Sequence, residues 1–540
     1  LNDLNVHMGQ LVAHDMSFVT PLADFTAQGN FAIHIPKGDV TFDPKSTGIA
    51  TMRFRRSGGK EGTGKKTKTP KQQVNKISGW LDLGVVYGSS LDRSNSLRAG
   101  YRGLLKSNNF NDEEQLTYNT RGMPNLNLLG KDRERLLVSG DNRVNVQPGL
   151  LSFHTLWARE HNRWATRISN DNPTMSDETI FQAARRRTIA VYQNILMYEW
   201  LPLIVGKQYW KTHVGEYKGY NSSVDPRISN EFATCAFRFG HTQASDTLQR
   251  LGPDLRPTKA GPLHLKDTYF TPERVLTEGG LNPIVRGMIC KRCQAIDTTA
   301  ADGIRNHLFS TPTSGFDLVA LNIQRGRDHG LTDYNSMREA YGLARKASFE
   351  DISSKTDVQR QLKDLYKNNL SNIDAFVGGL AEDHALGASL GELFSHIVAD
   401  QFRRTRDGDA YWFENVRDDE GETLGFELAD FKSETMLSML QRNTNLPDLS
   451  TVGGSHSAFR IGNEDGNCGR DVEICTSVSR GGKLFTKVPS KGDLSINDKH
   501  RDAKKKTTTK PDGERTLREK VLDRYQRAVE FFNDRADNAQ

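Results

Sequence analysis

The sequence predicts a mainly α-helical protein, one large domain with very little β structure. Three observations carry that expectation. Apolar residues keep helical spacing over long stretches, at Leu1–Phe18, Ser176–Trp200 and Ala385–Arg404. Prolines stand where a first helical turn tolerates them, at Pro148 and Pro226. The 540 residues are enough to bury a large core, and no internal repeat divides them.

Composition narrows the class. Hydrophobic residues make up 36% and charged residues 26%, which suits a soluble protein with long polar loops. No apolar run reaches the roughly 18 residues a membrane span needs. The formal charge of +6 is modest, and much of the basic excess sits in Lys60–Lys71 and Lys499–Lys510. Such patches read as solvated loops, so no nucleic-acid partner is expected. Of the five cysteines, Cys235 belongs to a core. Cys290 and Cys293 lack a second pair at zinc spacing, while Cys468 and Cys475 suit a small disulfide loop. Asn221 and Asn369 open glycosylation sequons, relevant in a secretory compartment. The chain starts within a helical pattern, so its N-terminus is expected to be truncated.

Taken in order, Leu1, Leu4, Met8, Leu11 and Val12 line one side of a first helix. Gln10 and His14 are one turn apart on another face, and Asp15 points elsewhere. In Ser78-Gly79-Trp80-Leu81-Asp82-Leu83-Gly84, alternate positions of an extended loop turn oxygens toward one point, as a hard cation requires; an ordinary polar loop looks the same. Asn142-Arg143 falls in a loop before a helix opened by Pro148. His154 and His161 on that helix are spaced as structural residues. Ser176–Trp200 is a further helix, ending near Pro202. Asp225–Thr242 reads as a helix that places Thr234, Phe237, Arg238 and His241 on one face, with Gly240 leaving bare backbone beside the histidine. Alone, such a histidine is most often a satisfied core residue. Pro257–Asp302 is loop-rich, Asn322–Gly330 leads into a helix through Tyr334 and Met337, and Ala385–Arg404 is amphipathic. After about Gly469 a polar tail carries a linker and a last helix through Leu517, Val521, Tyr525, Val529 and Phe532.

Four stretches in this order, Gly9-Gln10-Leu11-Val12-Ala13-His14-Asp15, Gly140-Asp141-Asn142-Arg143 with the following Leu156-Trp157-Ala158-Arg159-Glu160-His161-Asn162-Arg163, Asp225–Thr242 and Leu321-Asn322-Ile323-Gln324-Arg325-Gly326-Arg327-Asp328-His329-Gly330, together resemble the animal-type haem peroxidases of the peroxidase–cyclooxygenase superfamily. The resemblance covers residues 1–468 as the peroxidase domain, helices packed around a buried haem, and leaves 469–540 as a tail. It implies a haem-dependent enzyme that reduces hydrogen peroxide and, through a ferryl intermediate, oxidises halides, pseudohalides or small aromatic donors. It places His241 below the iron with Asn322 as its hydrogen-bond partner, and His14 above the iron as acid and base. Arg143 is the distal cation, Gln10 holds a water or halide, and Arg238 and Arg325 partner the haem propionates. It also nominates Asp15, Ser78, Asp82 and the Trp80 carbonyl as calcium ligands, with Gly84 standing where the family usually offers a hydroxyl.

Three departures set the cofactor apart. Ala13 and Val146 stand where many members esterify haem, and Gln147 stands where a methionine can bond a vinyl group. The expected cofactor is therefore non-covalent haem b, beside calcium. By the same resemblance the protein is expected to be secreted. The rival readings are a fatty-acid dioxygenase and an inactive adhesion or matrix protein. The first needs a tyrosine three residues before the proximal histidine, where Arg238 stands. The second has no use for His14, Arg143, His241 and Asn322 together.

Overall fold

A computed structural model describes residues 1–22, 29–64, 69–110, 112–311, 314–415, 428–446 and 457–460. The expected tail helix, the Lys499–Lys510 patch, Cys468 and Cys475 lie outside the described residues.

The molecule is helical, as its periodicity predicts. The first helix runs Asp3–Met16, and the Asn2 side chain accepts from the Asn5 N–H at its start. Leu4, Met8, Leu11, Val12 and Met16 are fully buried on its inner face. It packs on the longest helix, Pro148–Asp171, where Pro148 occupies the first turn and Gln147 supplies the cap. Asp177–Asn194 lies against that helix in turn, with Trp157 and Tyr192 meeting edge to face at 5.3 Å between centroids. Among the described residues β structure amounts to four two-stranded antiparallel ladders and some isolated bridges, with no strand longer than Leu308–Thr311.

Several elements depart from the expectations, each for a local reason. Pro202 does not end its helix. A π-helical turn, Ile195–Trp200, precedes it, so Pro202 falls in the first turn of a renewed segment, Leu201–Val205. A wider turn needs fewer ladder bonds at the point where proline has no N–H to offer. Gly206, at φ 90°, provides the actual stop. The His241 region is a broken path. Asp225 folds back on the Arg227 N–H at 3.0 Å, Ser229 caps Asn230–Thr234, and Cys235 leaves helical space at φ −129°, ψ −83°. A 3-10 turn, Ala236–Arg238, and a single turn, Gly240–Gln243, follow. Asn322 lies within a helix, Leu318–Asp328, that Asp317 caps; Gly330 at φ 70° separates it from Tyr334–Ala340. The helix expected from Ala385 starts at Glu392 and ends at Asp407.

An aromatic cluster joins these pieces. Phe232 stacks on Phe237 at 4.5 Å, and Phe402 of the Glu392–Asp407 helix meets Phe237 at 5.5 Å. Trp200 lies 6.2 Å from Phe237. A Cβ on Gly9 would come within 3.2 Å of the same Trp200, so the first helix and the His241 path share one wall.

Candidate active site

His241 stands on its short turn inside the molecule, its ring still facing internal space. A Cβ at Gly240 would meet nothing within 4 Å, so the backbone beside the histidine opens on that space. Asn322 reaches it from the Leu318–Asp328 helix, its Nδ2 lying 2.8 Å from His241 Nδ1. Arg238 in turn donates to Asn322 Oδ1 at 2.7 Å and to the Ala233 carbonyl at 3.1 Å. Arginine can only donate, so in this arrangement Asn322 offers its amide N–H to the ring and the ring proton sits on Nε2. Holding a metal through Nε2 needs the proton on Nδ1 and the Asn322 oxygen facing it. The residues fit such a ligand once the Asn322 amide turns over and Arg238 releases it. Burial first, then Arg238, pushes the His241 pKa down to about 3, so the ring is neutral as a ligand must be.

Arg238 itself is a half-buried cation with no carboxylate partner among the described residues. Burial, then the nearby Arg325, lowers its pKa to about 10. It suits an anionic group arriving from outside the protein. Arg325 is already committed, donating to Asp328 at 2.9 Å and to Ser57 Oγ at 2.8 Å.

His14 lies within electrostatic reach of His241, and its Nδ1 is buried without a protein partner among the described residues. Burial, then Arg143, drives its pKa well below the ordinary value, and a charge on His241 would also be felt there. Arg143 is locked in place. Its Nε and Nη2 form a two-pronged contact with Asp141, at 2.8 and 2.7 Å, and Nη2 also donates to the His14 carbonyl at 3.0 Å. Against burial, which would raise it, Arg143 holds the Asp141 carboxyl far below the usual carboxylate range. Asp141 is a site residue that sequence reasoning passed over, although its two-residue spacing from Arg143 was in view. Gly140 lets this loop close on the turn at Gly84–Tyr87, because a Cβ there would lie 2.2 Å from the Gly84 carbonyl. Gln10 Oε1 accepts from Gln147 Nε2 at 2.7 Å. His154 and His161 are structural, bonded to Ser139 Oγ and to the Tyr87 hydroxyl and Gly103 carbonyl.

Three of the cation candidates, Asp15, Ser78 and Asp82, come together. Asp15 accepts from the Leu83 and Val85 N–H groups, at 3.1 and 3.2 Å, while Ser78 Oγ donates to Asp82 Oδ1 at 3.1 Å. These contacts alone would make Asp15 a cap for the turn at Gly84–Tyr87. Yet burial and then Asp82 raise the Asp15 pKa well above the ordinary value. Two buried acids in conflict fit a divalent cation. A Cβ built on Gly84 would fall 3.3 Å from Asp82 Oδ1, 3.3 Å from Ser89 Oγ and 3.6 Å from Asp15 Oδ1. Ser89 thus brings a hydroxyl to the spot where Gly84 lacks one. The Trp80 N–H faces Ser78 Oγ at 3.4 Å.

Two histidines thus lie within electrostatic reach of each other, one bonded to an amide and one beside a fixed guanidinium. The comparisons place the chain in a family. The model of the animal haem peroxidase family matches residues 1–452. Peroxinectin A of Dictyostelium discoideum is 35% identical over 425 residues, 77% of each chain. Thyroid peroxidase of Mus musculus is 36% identical over 500 residues, 87% of this chain and 53% of that one. Peroxidase A from Dictyostelium discoideum superposes with a TM-score of 0.74 at 33% identity, covering 82% of this chain and 84% of the other. A fatty acid alpha-dioxygenase of Oryza sativa shares the fold alone, with a TM-score of 0.69 at 20% identity. The chain belongs to the animal haem peroxidase family, and it spans about half the length of the thyroid peroxidases it matches. It is an oxidoreductase of the haem peroxidase class.

Proposed function

We propose that this chain reduces hydrogen peroxide in the space between His14 and His241 and passes the oxidising equivalents to a halide, a pseudohalide or a small aromatic donor. The observation that carries the reading is the pair of neutral histidines on that space, with the Arg143–Asp141 pair beside one and Asn322 beside the other. Haem, when bound, supplies the iron that exchanges electrons with peroxide. His241 would hold it, and Arg238 would meet a propionate. That second contact draws Arg238 off Asn322 and lets the amide oxygen accept from His241 Nδ1. On the other side, His14 is unprotonated and takes the proton of the incoming peroxide, then returns it to the departing oxygen. Arg143, already oriented by Asp141, meets the negative charge that gathers on that oxygen without first having to reorganise. Purified, haem-loaded protein should show an intense Soret band that shifts on adding peroxide. A full haem complement whose spectrum ignores peroxide would sink the reading.

Haem is held without covalent links in this reading. Ala13 and Val146 have no carboxylate to esterify, and Gln147 has no sulfur and is committed to hydrogen bonds. Acid–butanone extraction should therefore free unmodified haem b; haem that stays with the polypeptide would refute this. Without links that withdraw electrons from the macrocycle, iodide, thiocyanate and phenols should be oxidised readily and chloride poorly. Efficient hypochlorous acid production at neutral pH would count against that ranking.

Asp15, Asp82, Ser78, the Trp80 carbonyl and Ser89 form the calcium site of this reading. Calcium present at 100 to 1,000 times its dissociation constant would add about 3–4 kcal/mol of stability. Chelation should lower the melting temperature accordingly and, because Asp15 adjoins His14, disturb the peroxide reaction as well. Metal analysis that finds no calcium, together with melting that chelator leaves unchanged, would exclude the site. No helix among the described residues is long and apolar enough to cross a membrane. Asn221 and Asn369 are exposed, as glycan acceptors must be, which supports a secreted protein.

A further inference from the structure

We propose that Gln147 is a positioning residue for the peroxide site, fixing which end of the Gln10 amide faces the space above His241. The proposal rests on the peroxidase reading of that space given above. Its starting point is a group that cannot be turned over. The Gly149 backbone N–H donates to Gln147 Oε1 at 2.6 Å, because Gln147 caps the Pro148–Asp171 helix and satisfies one of its orphan donors. With that oxygen committed, the other end of Gln147 is its NH2 group. Nε2 lies 2.7 Å from Gln10 Oε1 and 3.0 Å from His7 Nδ1. Two hydrogens thus serve two acceptors. Turning Gln10 over would set one NH2 group against another, so Gln10 keeps its oxygen toward the cap.

His7 completes the clamp. Gly149 has no side chain, and a Cβ there would lie 2.6 Å from the His7 ring, so the imidazole closes directly over the helix start. Burial, then Lys291, pushes the His7 pKa down to about 4, so the ring is neutral; since the Gln147 amide nitrogen facing it at 3.0 Å only donates, Nδ1 accepts and the ring proton sits on Nε2. The free end of Gln10 is consequently an N–H donor. Gln10 sits one turn before His14 on the same face of the first helix. A fixed donor there favours a ligand with lone pairs and no proton to give, such as a halide ion. The helix cap is therefore wired to the anion preference of the site.

Bromide serves as the probe, titrated into the haem-loaded full chain and read by the Soret absorption, with melting followed in parallel. Gln147→Ser keeps a strong cap residue but cannot reach Gln10. It should melt somewhat below the parent, because His7 Nδ1 loses its donor, yet bind bromide about tenfold more weakly, the effect of a lost oriented bond to a charged ligand. Gln10→Ala should weaken bromide binding at least as much. In the double variant the two losses should not add, because Gln147 acts only through Gln10. Gln147→Glu covers the case in which the serine variant melts low. It retains length and cap but only accepts, so Gln10 must turn over and bromide affinity should fall with melting preserved. Unchanged bromide affinity in Gln147→Ser, or losses that add in the double variant, would overturn the proposal. Unchanged affinity in Gln10→Ala would instead overturn the anion reading of the site itself.

Discussion

His241→Ala is expected to give a folded chain that no longer shows the Soret band of the parent protein. The substitution falls on a single helical turn, Gly240–Gln243, with open space beside it, so the core should survive. The loss should be close to complete. Neither Ala13 nor Val146 can tether haem independently of its ligand, so the remaining hold comes from packing and from Arg238. Removing only a partner that orients a ligand costs roughly 10–100-fold in affinity. Asn322→Leu should fall in that range, and His241→Ala should exceed it. Arg238→Leu separates two effects. It removes the proposed propionate partner, but it also frees Asn322 Oδ1 to turn toward the ring without competition. Haem affinity in that variant should fall less than in Asn322→Leu. A His241→Ala protein that binds a full complement of haem with an unchanged spectrum would show that another side chain is the ligand.

The site was legible in the sequence where its logic is local. Gln10 and His14 share a face because four residues make one turn, and Pro148 marks a helix start because its ring suits the first turn. The fold class followed from the same periodicity. What stayed hidden depends on partners far away in the chain or on backbone that breaks its own pattern. Residues 225–242 carry helical spacing, but the path breaks at Cys235, and only that break sets His241 against Asn322, eighty-one positions later in the sequence. Gln147 looked notable for the methionine it replaces. Its actual contacts, to His7 and Gln10, span 140 and 137 residues and no spacing rule announces them. Ser89 enters the cation site because the Gly84–Tyr87 turn brings it back beside Asp82. Arg325 carries a contact within reach of local spacing, Asp328 three residues on along the same helix.

His14→Ala should retain haem and slow the peroxide-dependent Soret change by about 10²–10⁴-fold, the usual cost of deleting a group that both accepts and returns a proton. Two features argue for the upper part of that range. The ring stands beside Arg143 and is neutral, and the nearest carboxylate, Asp141, is engaged by that arginine and is too weak a base to replace it. Arg143 cannot take over, since a guanidinium does not give up its proton. Arg143→Leu should also slow the reaction, by a route that leaves proton transfer intact. Asp141→Asn distinguishes orientation from charge. It leaves Arg143 cationic but weakens the two-pronged contact at 2.8 and 2.7 Å, so its loss should be smaller than that of either His14→Ala or Arg143→Leu. Stopped-flow mixing of each variant with peroxide measures all three. Near-parental rates in His14→Ala would mean that another group moves the proton. An Asp141→Asn defect as large as that of Arg143→Leu would mean that Arg143 acts only when held in this one geometry.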